Sequence, residues 1–122
     1  MNSSDFRQLI VWQKAMDLTV EIYSLVNYLP RQETYSLSDQ MRRAVVSVPS
    51  NIAEGRGRNS EKEFVRFLVH ARGSLWELST QIEICERLHY LSEDQINNAK
   101  ELIVEISKMI KSLSDTLLPD NC

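Results

Sequence analysis

The sequence predicts an all-α protein, an antiparallel up-down-up-down bundle of four helices in a single domain. Its 122 residues suit one hydrophobic core. Only three glycines and three prolines interrupt the chain, and residues with high helix propensity are frequent. Four stretches carry apolar residues at spacings of three and four, which is typical of amphipathic helices. The connections between these stretches are short, so consecutive helices should pack as antiparallel neighbours.

The first helix is predicted over residues 11–28, and Pro30 ends it. An amphipathic stripe marks its predicted core side: Trp12, Ala15, Met16, Thr19, Ile22, Tyr23 and Val26. A second apolar strip recurs at spacings of seven, seven and four on another side of the helix: Val11, Leu18, Leu25 and Leu29. Because exposed apolar strips on soluble proteins usually mark interfaces, we expect the second strip to bind a neighbouring subunit.

The second helix is predicted over residues 38–56, with Leu37 as a hydrophobic staple and Ser38 as the N-cap. Gly55 closes it. Pro49 lies inside this helix and removes one backbone donor at a cost of about 3 kcal/mol, so we expect a kink there. The apolar positions keep their register across the proline, which predicts helix on both sides of it: Met41, Val45, Val48 and Ile52.

The third and fourth helices are predicted over residues 60–90 and 92–118. A capping-box pattern, serine followed three residues later by Glu or Gln, opens each helix at Ser60 and Ser92. The third helix then carries a heptad seam: Phe64, Leu68, Ala71, Leu75, Leu78, Ile82 and Cys85. The fourth helix repeats the spacing: Ile96, Ala99, Ile103, Ile106, Ile110, Leu113 and Leu117. Such seams predict coiled-coil-like packing at angles near 20°.

A polar stripe runs beside the apolar seam of the second helix, and small and polar residues of the third helix should face it. We predict that these residues form a structural polar network within or between subunits: Gln40, Arg43, Ser47, Asn51, Glu54, Ser74, Glu77 and Thr80. Arg43 and Glu77 are expected to pair with little exposure, because a guanidinium fork matches a carboxylate. A ligand or catalytic pocket and an exposed polar face that serves a partner are the alternatives for the same residues.

Charge is uneven along the chain, although the formal net charge of −3 argues against a strongly basic nucleic-acid binder. Residues 42–72 carry seven Arg or Lys against three Glu, whereas residues 73–122 carry four against nine acids. Six basic residues should gather at one end of the bundle as candidate contacts for RNA or another partner, with ordinary surface charge as the alternative: Arg56, Arg58, Lys62, Arg66, Lys108 and Lys111. No aromatic residue is expected among them to stack on a base, so sequence-specific RNA recognition lacks support.

Patterns for catalysis are weak, and we expect no enzymatic activity, metal, cofactor or small-molecule substrate. A carboxylate-bridged metal bundle needs two Glu-x-x-His pairs, but the sequence holds one, Glu86 with His89, and His70 has no partner glutamate. Neither Cys85 nor Cys122 has a histidine at a telling spacing, and no Gly-rich phosphate loop exists. Because neither a signal peptide nor a long apolar run is present, we expect a cytoplasmic protein with no membrane association.

Several specific strings of residues resemble a known family. They are Val11 to Met16, Ser47 to Gly55, Gly73-Ser74-Leu75, Glu77-Leu78 and Thr80. From about residue 6 to residue 91 the chain resembles the four-helix-bundle family of the 23S rRNA intervening-sequence protein. The resemblance implies a small bacterial, cytosolic bundle with no enzymatic activity attached, which assembles as a ring-like homo-oligomer, usually a pentamer. It also implies a link to RNA biology, because some members are encoded within rRNA intervening sequences and a related branch accompanies retroelement reverse transcriptases.

The patterns and the resemblance lead us to expect a non-enzymatic, homo-oligomeric scaffold or accessory protein. Its expected partners are itself and either structured RNA or an RNA-handling protein such as a reverse transcriptase. The alternative is a protein–protein interaction module with no nucleic-acid role. Binding to structured RNA that weakens steeply with salt would separate the two.

Overall fold

Four α-helices form most of the computed structural model, which describes residues 5–119. The helices are α1 (Ile10–Val26), α2 (Leu37–Arg56), α3 (Glu61–Arg87) and α4 (Glu93–Leu117). Two single-turn 3-10 helices, Phe6–Gln8 and Arg31–Glu33, precede α1 and α2. Within residues 5–119 there is no strand, so the predicted all-α class is confirmed. No helix in this range is long and apolar enough to cross a membrane.

Each helix packs against two neighbours around one hydrophobic core. α2 contacts α1 and α3, and α4 contacts α3 and α1. Contacts between α2 and α3 run in opposite orders along the two helices: the Cys85 sulfur lies 3.6 Å from that of Met41, and the Ser74 hydroxyl lies 2.8 Å from that of Ser47. α2 and α3 are therefore antiparallel, and the polar stripe of α2 lies beside α3.

The core side of α1 agrees with the predicted one at Ala15, Ile22 and Val26, which are buried, but differs from it elsewhere. The strip expected at a subunit interface lies inside the chain's own core, with exposed fractions of 4%, 0%, 5% and 8%: Val11, Leu18, Leu25 and Leu29. Met16 and Tyr23, predicted in the core, are exposed instead. The predicted interface of those four residues is therefore wrong. When a helix has apolar residues on two sides, its own sequence does not determine which side is buried. In α1 the aliphatic side packs in the core, while Tyr23 keeps its hydroxyl near water.

α2 begins one residue earlier than predicted and continues through Pro49 without interruption. The bend expected at that proline stays a prediction. The predicted N-cap, Ser38, is buried in the first turn. Ser36 is the N-cap residue, but its hydroxyl donates to Glu33 Oε1 at 2.7 Å rather than capping the helix. The same carboxylate oxygen accepts from the Leu37 N–H at 3.4 Å, so a preceding glutamate supplies the cap.

Glu33 also joins the start of α2 to the turn between α3 and α4. The Tyr90 hydroxyl donates to Glu33 Oε2 at 3.0 Å. Hydrogen bonds from Ser36 and then from Tyr90 hold the pKa of the Glu33 carboxyl below its usual value. Both connections at this end of the bundle therefore meet at one carboxylate.

The serines predicted to open α3 and α4 cap these helices in two ways. Ser92 and Gln95 form the complete capping box of α4, with reciprocal bonds of 3.2 and 2.8 Å. Ser60 accepts from the Glu63 N–H at 3.2 Å, but the Glu63 carboxylate binds Arg66 instead of returning to the cap. α3 therefore has half a capping box.

α3 ends at Arg87, three residues before the predicted end, in a Schellman motif. The His89 N–H donates to the Glu86 carbonyl and the Tyr90 N–H to the Cys85 carbonyl. His89 occupies the position that glycine usually takes, with a φ of 63°. Burial raises the pKa of the Cys85 thiol to about 11, whereas Cys122 lies outside the described residues.

Candidate interaction surfaces

Three of the eight residues predicted in the polar network form a cluster between α2 and α3. The Ser47 and Ser74 hydroxyls lie 2.8 Å apart, and the Asn51 amide donates to the Ser47 carbonyl at 2.8 Å and to its hydroxyl at 2.9 Å. The side chains are small because the two helices lie close together. A Cβ added to Gly55 on α2 would come within 2.7 Å of the Phe67 Cβ on α3. The cluster links the two helices on a half-buried face.

The other five residues of the predicted network do not join it. Arg43 pairs with Asp39 at 3.0 Å, and its side chain is 79% exposed. Glu77 accepts only a long hydrogen bond, 3.4 Å, from Gln81. The predicted buried pair of Arg43 and Glu77 is therefore wrong, because Asp39 one turn away on the same helix is the nearer partner. The remaining members are exposed: Gln40, Glu54 and Thr80.

The basic end of the bundle contains aromatic rings that the sequence reading did not place there. The Arg58 and Arg66 guanidinium carbons lie 4.9 and 5.1 Å from the centre of the Phe67 ring. The prediction that no aromatic residue lies among these arginines is wrong. Phe64 and Phe67 are only 4% and 8% exposed, however, so the arginines cover the rings and a nucleic-acid base cannot stack on them.

Acidic residues neutralise part of this basic end. Arg58 pairs with Glu54 at 3.0 Å and Arg66 with Glu63 at 2.9 Å. The hydrogen bond from Arg66 lowers the pKa of the Glu63 carboxyl. On α4, Lys111 pairs with Asp115 at 3.0 Å, while Lys62 and Lys108 are exposed and in no ion pair within residues 5–119. The charge available to a phosphate is thus smaller than the residue count implies.

Arg56 differs from the other basic residues because its Nε is buried. That nitrogen has no hydrogen-bond partner within the part of the chain that the structure describes. Its guanidinium carbon lies 6.0 Å from the Phe64 ring centre, at the junction of α2 and α3. Burial of its stem makes Arg56 a packing residue as much as a surface charge.

A shallow groove of about 400 Å³ lies between α1 and α2, and we call it the α1–α2 groove. Its lining residues include Tyr23, Asp39, Arg42, Arg43 and Val46. Apolar surface continues along α1 because Val20, which is 69% exposed, lies one turn before Tyr23 and Met16 lies two turns before it. The groove therefore combines an apolar strip with two arginines.

A second apolar surface lies on the side of α3 opposite the core, and we call it the α3 outer face. It consists of Val69, Gly73, Trp76 and Thr80, at spacings of four, three and four. Trp76 is 65% exposed and Val69 is 51% exposed. The sequence reading missed Trp76, although its position next to the seam residue Leu75 placed it off the core side.

Metal-ligating side chains are scattered across the structure. Within residues 5–119, no three His, Cys, Asp or Glu side chains lie close enough together to bind one metal ion. Glu86 and His89 belong to the terminus of α3 described above.

Fold and surfaces together define a four-helix bundle with exposed apolar and basic side chains. The chain belongs to the 23S rRNA-intervening sequence protein family, whose model matches residues 7–112. A crystal structure of a protein of unknown function from the S23 ribosomal protein family of Bacteroides thetaiotaomicron is similar, with a TM-score of 0.80 and 25% identity. The similarity covers 86% of this chain and 98% of that one. No curated protein matches the chain. The predicted family membership is confirmed.

Proposed function

We propose that the protein is a non-enzymatic, homo-oligomeric scaffold or accessory protein of the bacterial cytoplasm. The observation that carries this proposal is the exposure of Trp76 on the α3 outer face. A tryptophan buries about 150–250 Å² when covered, so covering the exposed part of this one is worth about 3 kcal/mol. Tryptophan is also enriched among the residues that dominate binding energy in interfaces. A surface of this kind is better explained by a protein partner than by solvent.

The oligomeric state tests the proposal directly. Sedimentation velocity or light scattering at micromolar concentration should give a multiple of the 14.2 kDa chain mass, and the family resemblance suggests five copies. Higher salt should leave an apolar interface intact, since screening weakens only its charged contacts. A mass of one chain across the micromolar range contradicts the proposal.

We further propose that the scaffold associates with structured RNA or with an RNA-handling protein such as a reverse transcriptase. The supporting observations are the family and the basic end, where Lys62 and Arg66 lie beside Arg58. Assembly would multiply this patch, and each phosphate contact adds to affinity and to its salt dependence. If the protein does not bind RNA directly, the same patch would contact the RNA-handling protein instead.

Salt-dependent binding to structured RNA separates this role from a protein–protein interaction module with no nucleic-acid role. Direct binding predicts a steep loss of affinity between 50 and 200 mM salt. The double substitution Lys62→Glu with Arg66→Glu should abolish RNA binding. The control is Lys100→Glu, which lies nearer the start of α4 than the basic-end residues Lys108 and Lys111, and it should leave RNA binding unchanged. Ion pairing of Arg58 and Arg66 favours the alternative module, and the absence of binding at low salt would support that module.

A further inference from the structure

We propose that the α3 outer face of one copy docks into the α1–α2 groove of a second copy, with Trp76 as the central contact. This inference rests on the proposed homo-oligomer and specifies which two surfaces meet. It accounts for the α3 outer face and the α1–α2 groove with one interaction.

Gly73 has no structural explanation within residues 5–119. A glycine in a helix interior costs about 1 kcal/mol relative to alanine. At Gly55 the cost is explained by the Phe67 Cβ, 2.7 Å from where a methyl group would lie. At Gly73 an added Cβ would meet no atom of residues 5–119 within 4 Å outside its own helix backbone. A partner that approaches the backbone next to Trp76 supplies the missing reason, because small residues permit close approach.

The two surfaces complement each other in charge as well as in polarity. Glu77 follows Trp76 directly and forms no ion pair within residues 5–119. The α1–α2 groove carries Arg42 and Arg43 beside the apolar Tyr23 and Val46. Asp39 neutralises Arg43 there, so Arg42, which is in no ion pair within residues 5–119, supplies the net positive charge of the groove. An inserted Trp76 ring would cover these apolar side chains while the neighbouring carboxylate meets an arginine. Such complementarity aligns partners and disfavours the reverse orientation.

The symmetry of this contact follows from the position of its two halves. Trp76 lies on α3, and the groove lies between α1 and α2, so one copy can use both surfaces at the same time. A contact between two different surfaces is heterologous, and repeating it builds a closed ring when the rotation closes. A contact between two α3 outer faces would instead stop at a dimer.

Two surface variants test the pairing by complementation. Trp76→Glu removes one surface and Val46→Glu, at an exposed residue that lines the groove, removes the other. Each variant alone should run as a single chain. Mixed in equal amounts, they should form a two-chain species that does not grow, because one intact surface remains on each. Val104→Glu is the matched control, since Val104 is 53% exposed on α4 and belongs to neither surface. It should keep the wild-type mass. Far-UV circular dichroism should show folded helices in all three variants.

Each other outcome overturns the inference in a distinct way. If Trp76→Glu dissociates the assembly but Val46→Glu does not, the α3 outer face binds a surface other than the α1–α2 groove. If both variants keep the wild-type mass, the copies do not meet through these two surfaces, although the proposed homo-oligomer stands. If the wild-type protein is itself a single chain, the proposed homo-oligomer fails as well.

Gly73→Ala gives a second, gentler test of the same contact. The added methyl group has space within the monomer but would obstruct the approach of a partner. The dissociation constant of the assembly should therefore rise at least tenfold. An unchanged dissociation constant contradicts a close contact at this position.

Discussion

Gly55→Ala should destabilise the bundle, because α2 and α3 are closest where this glycine lies. The new Cβ would come 2.7 Å from the Phe67 Cβ, 3.0 Å from the Phe64 Cδ1 and 3.3 Å from the Phe64 carbonyl oxygen. The nearest of these atoms is bonded directly to the α3 backbone. A change of rotamer cannot move it, so the two helices must separate.

Two opposing effects set the size of the loss. Overpacking in a close-packed core costs about 1–3 kcal/mol, whereas replacing glycine by alanine in a helix returns up to about 1 kcal/mol. The gain is smaller here because Gly55 lies in the last turn of α2. We expect a net loss of about 1–2 kcal/mol. For a chain of this length that corresponds to a decrease in Tm of about 4–10 °C.

Urea unfolding followed by far-UV circular dichroism measures this loss. Both glycine variants should be made in the Trp76→Glu background, so that assembly does not contribute to stability. Gly73→Ala is the matched control and should raise the free energy of unfolding by up to about 1 kcal/mol, since its methyl group enters open space. The reasoning is refuted if Gly55→Ala is as stable as Gly73→Ala.

Three further predictions concern single contacts. Ser47→Ala and Ser74→Ala should each cost about 1 kcal/mol, and a double-mutant cycle should show coupling of about 0.5–1.5 kcal/mol; strictly additive losses would mean that the hydroxyls do not interact. His89→Gly should raise stability by about 0.5–1 kcal/mol, because glycine adopts a φ of 63° without strain, and a lower Tm would contradict this. Glu33→Gln should remove an acid-sensitive contribution: the native pKa of Glu33 is lowered from 4.5, so its stabilisation is present above that pH and is lost as pH falls through the native pKa. Equal pH profiles of stability for wild type and variant, measured from pH 6 downward, would exclude this contribution.

The sequence predicted most where a single face of a helix is apolar. α3 and α4 each carry one seam, and their seam residues from Phe64 to Cys85 and from Ile96 to Ile110 lie in the core. The serines before these helices predicted both beginnings to within a residue. Local hydrogen bonds and periodicity decide such features, and both depend on neighbours in the chain.

Prediction failed where two local solutions compete. α1 has apolar residues on two sides, and the choice between Leu18 and Tyr23 depends on the space that α2 and α4 leave. Arg43 likewise could pair with either of two carboxylates. It pairs with Asp39 rather than Glu77, because Asp39 lies one turn away on the same helix and the pair needs no contact between helices. Neither choice is visible in the spacing of residues.

The sequence by itself determined the number of helices, the caps of α3 and α4, and the family, since these follow from periodicity and from specific short strings of residues. Only the tertiary structure decided which side of α1 is buried, which three polar residues meet between α2 and α3, and that Trp76 is exposed. Burial is a property of the assembled helices, because the free energy of covering an apolar side chain depends on what other elements bring against it. The apolar strip of α1 is therefore core in this protein, whereas Val20 and Tyr23 on its opposite side and Trp76 on α3 stay exposed.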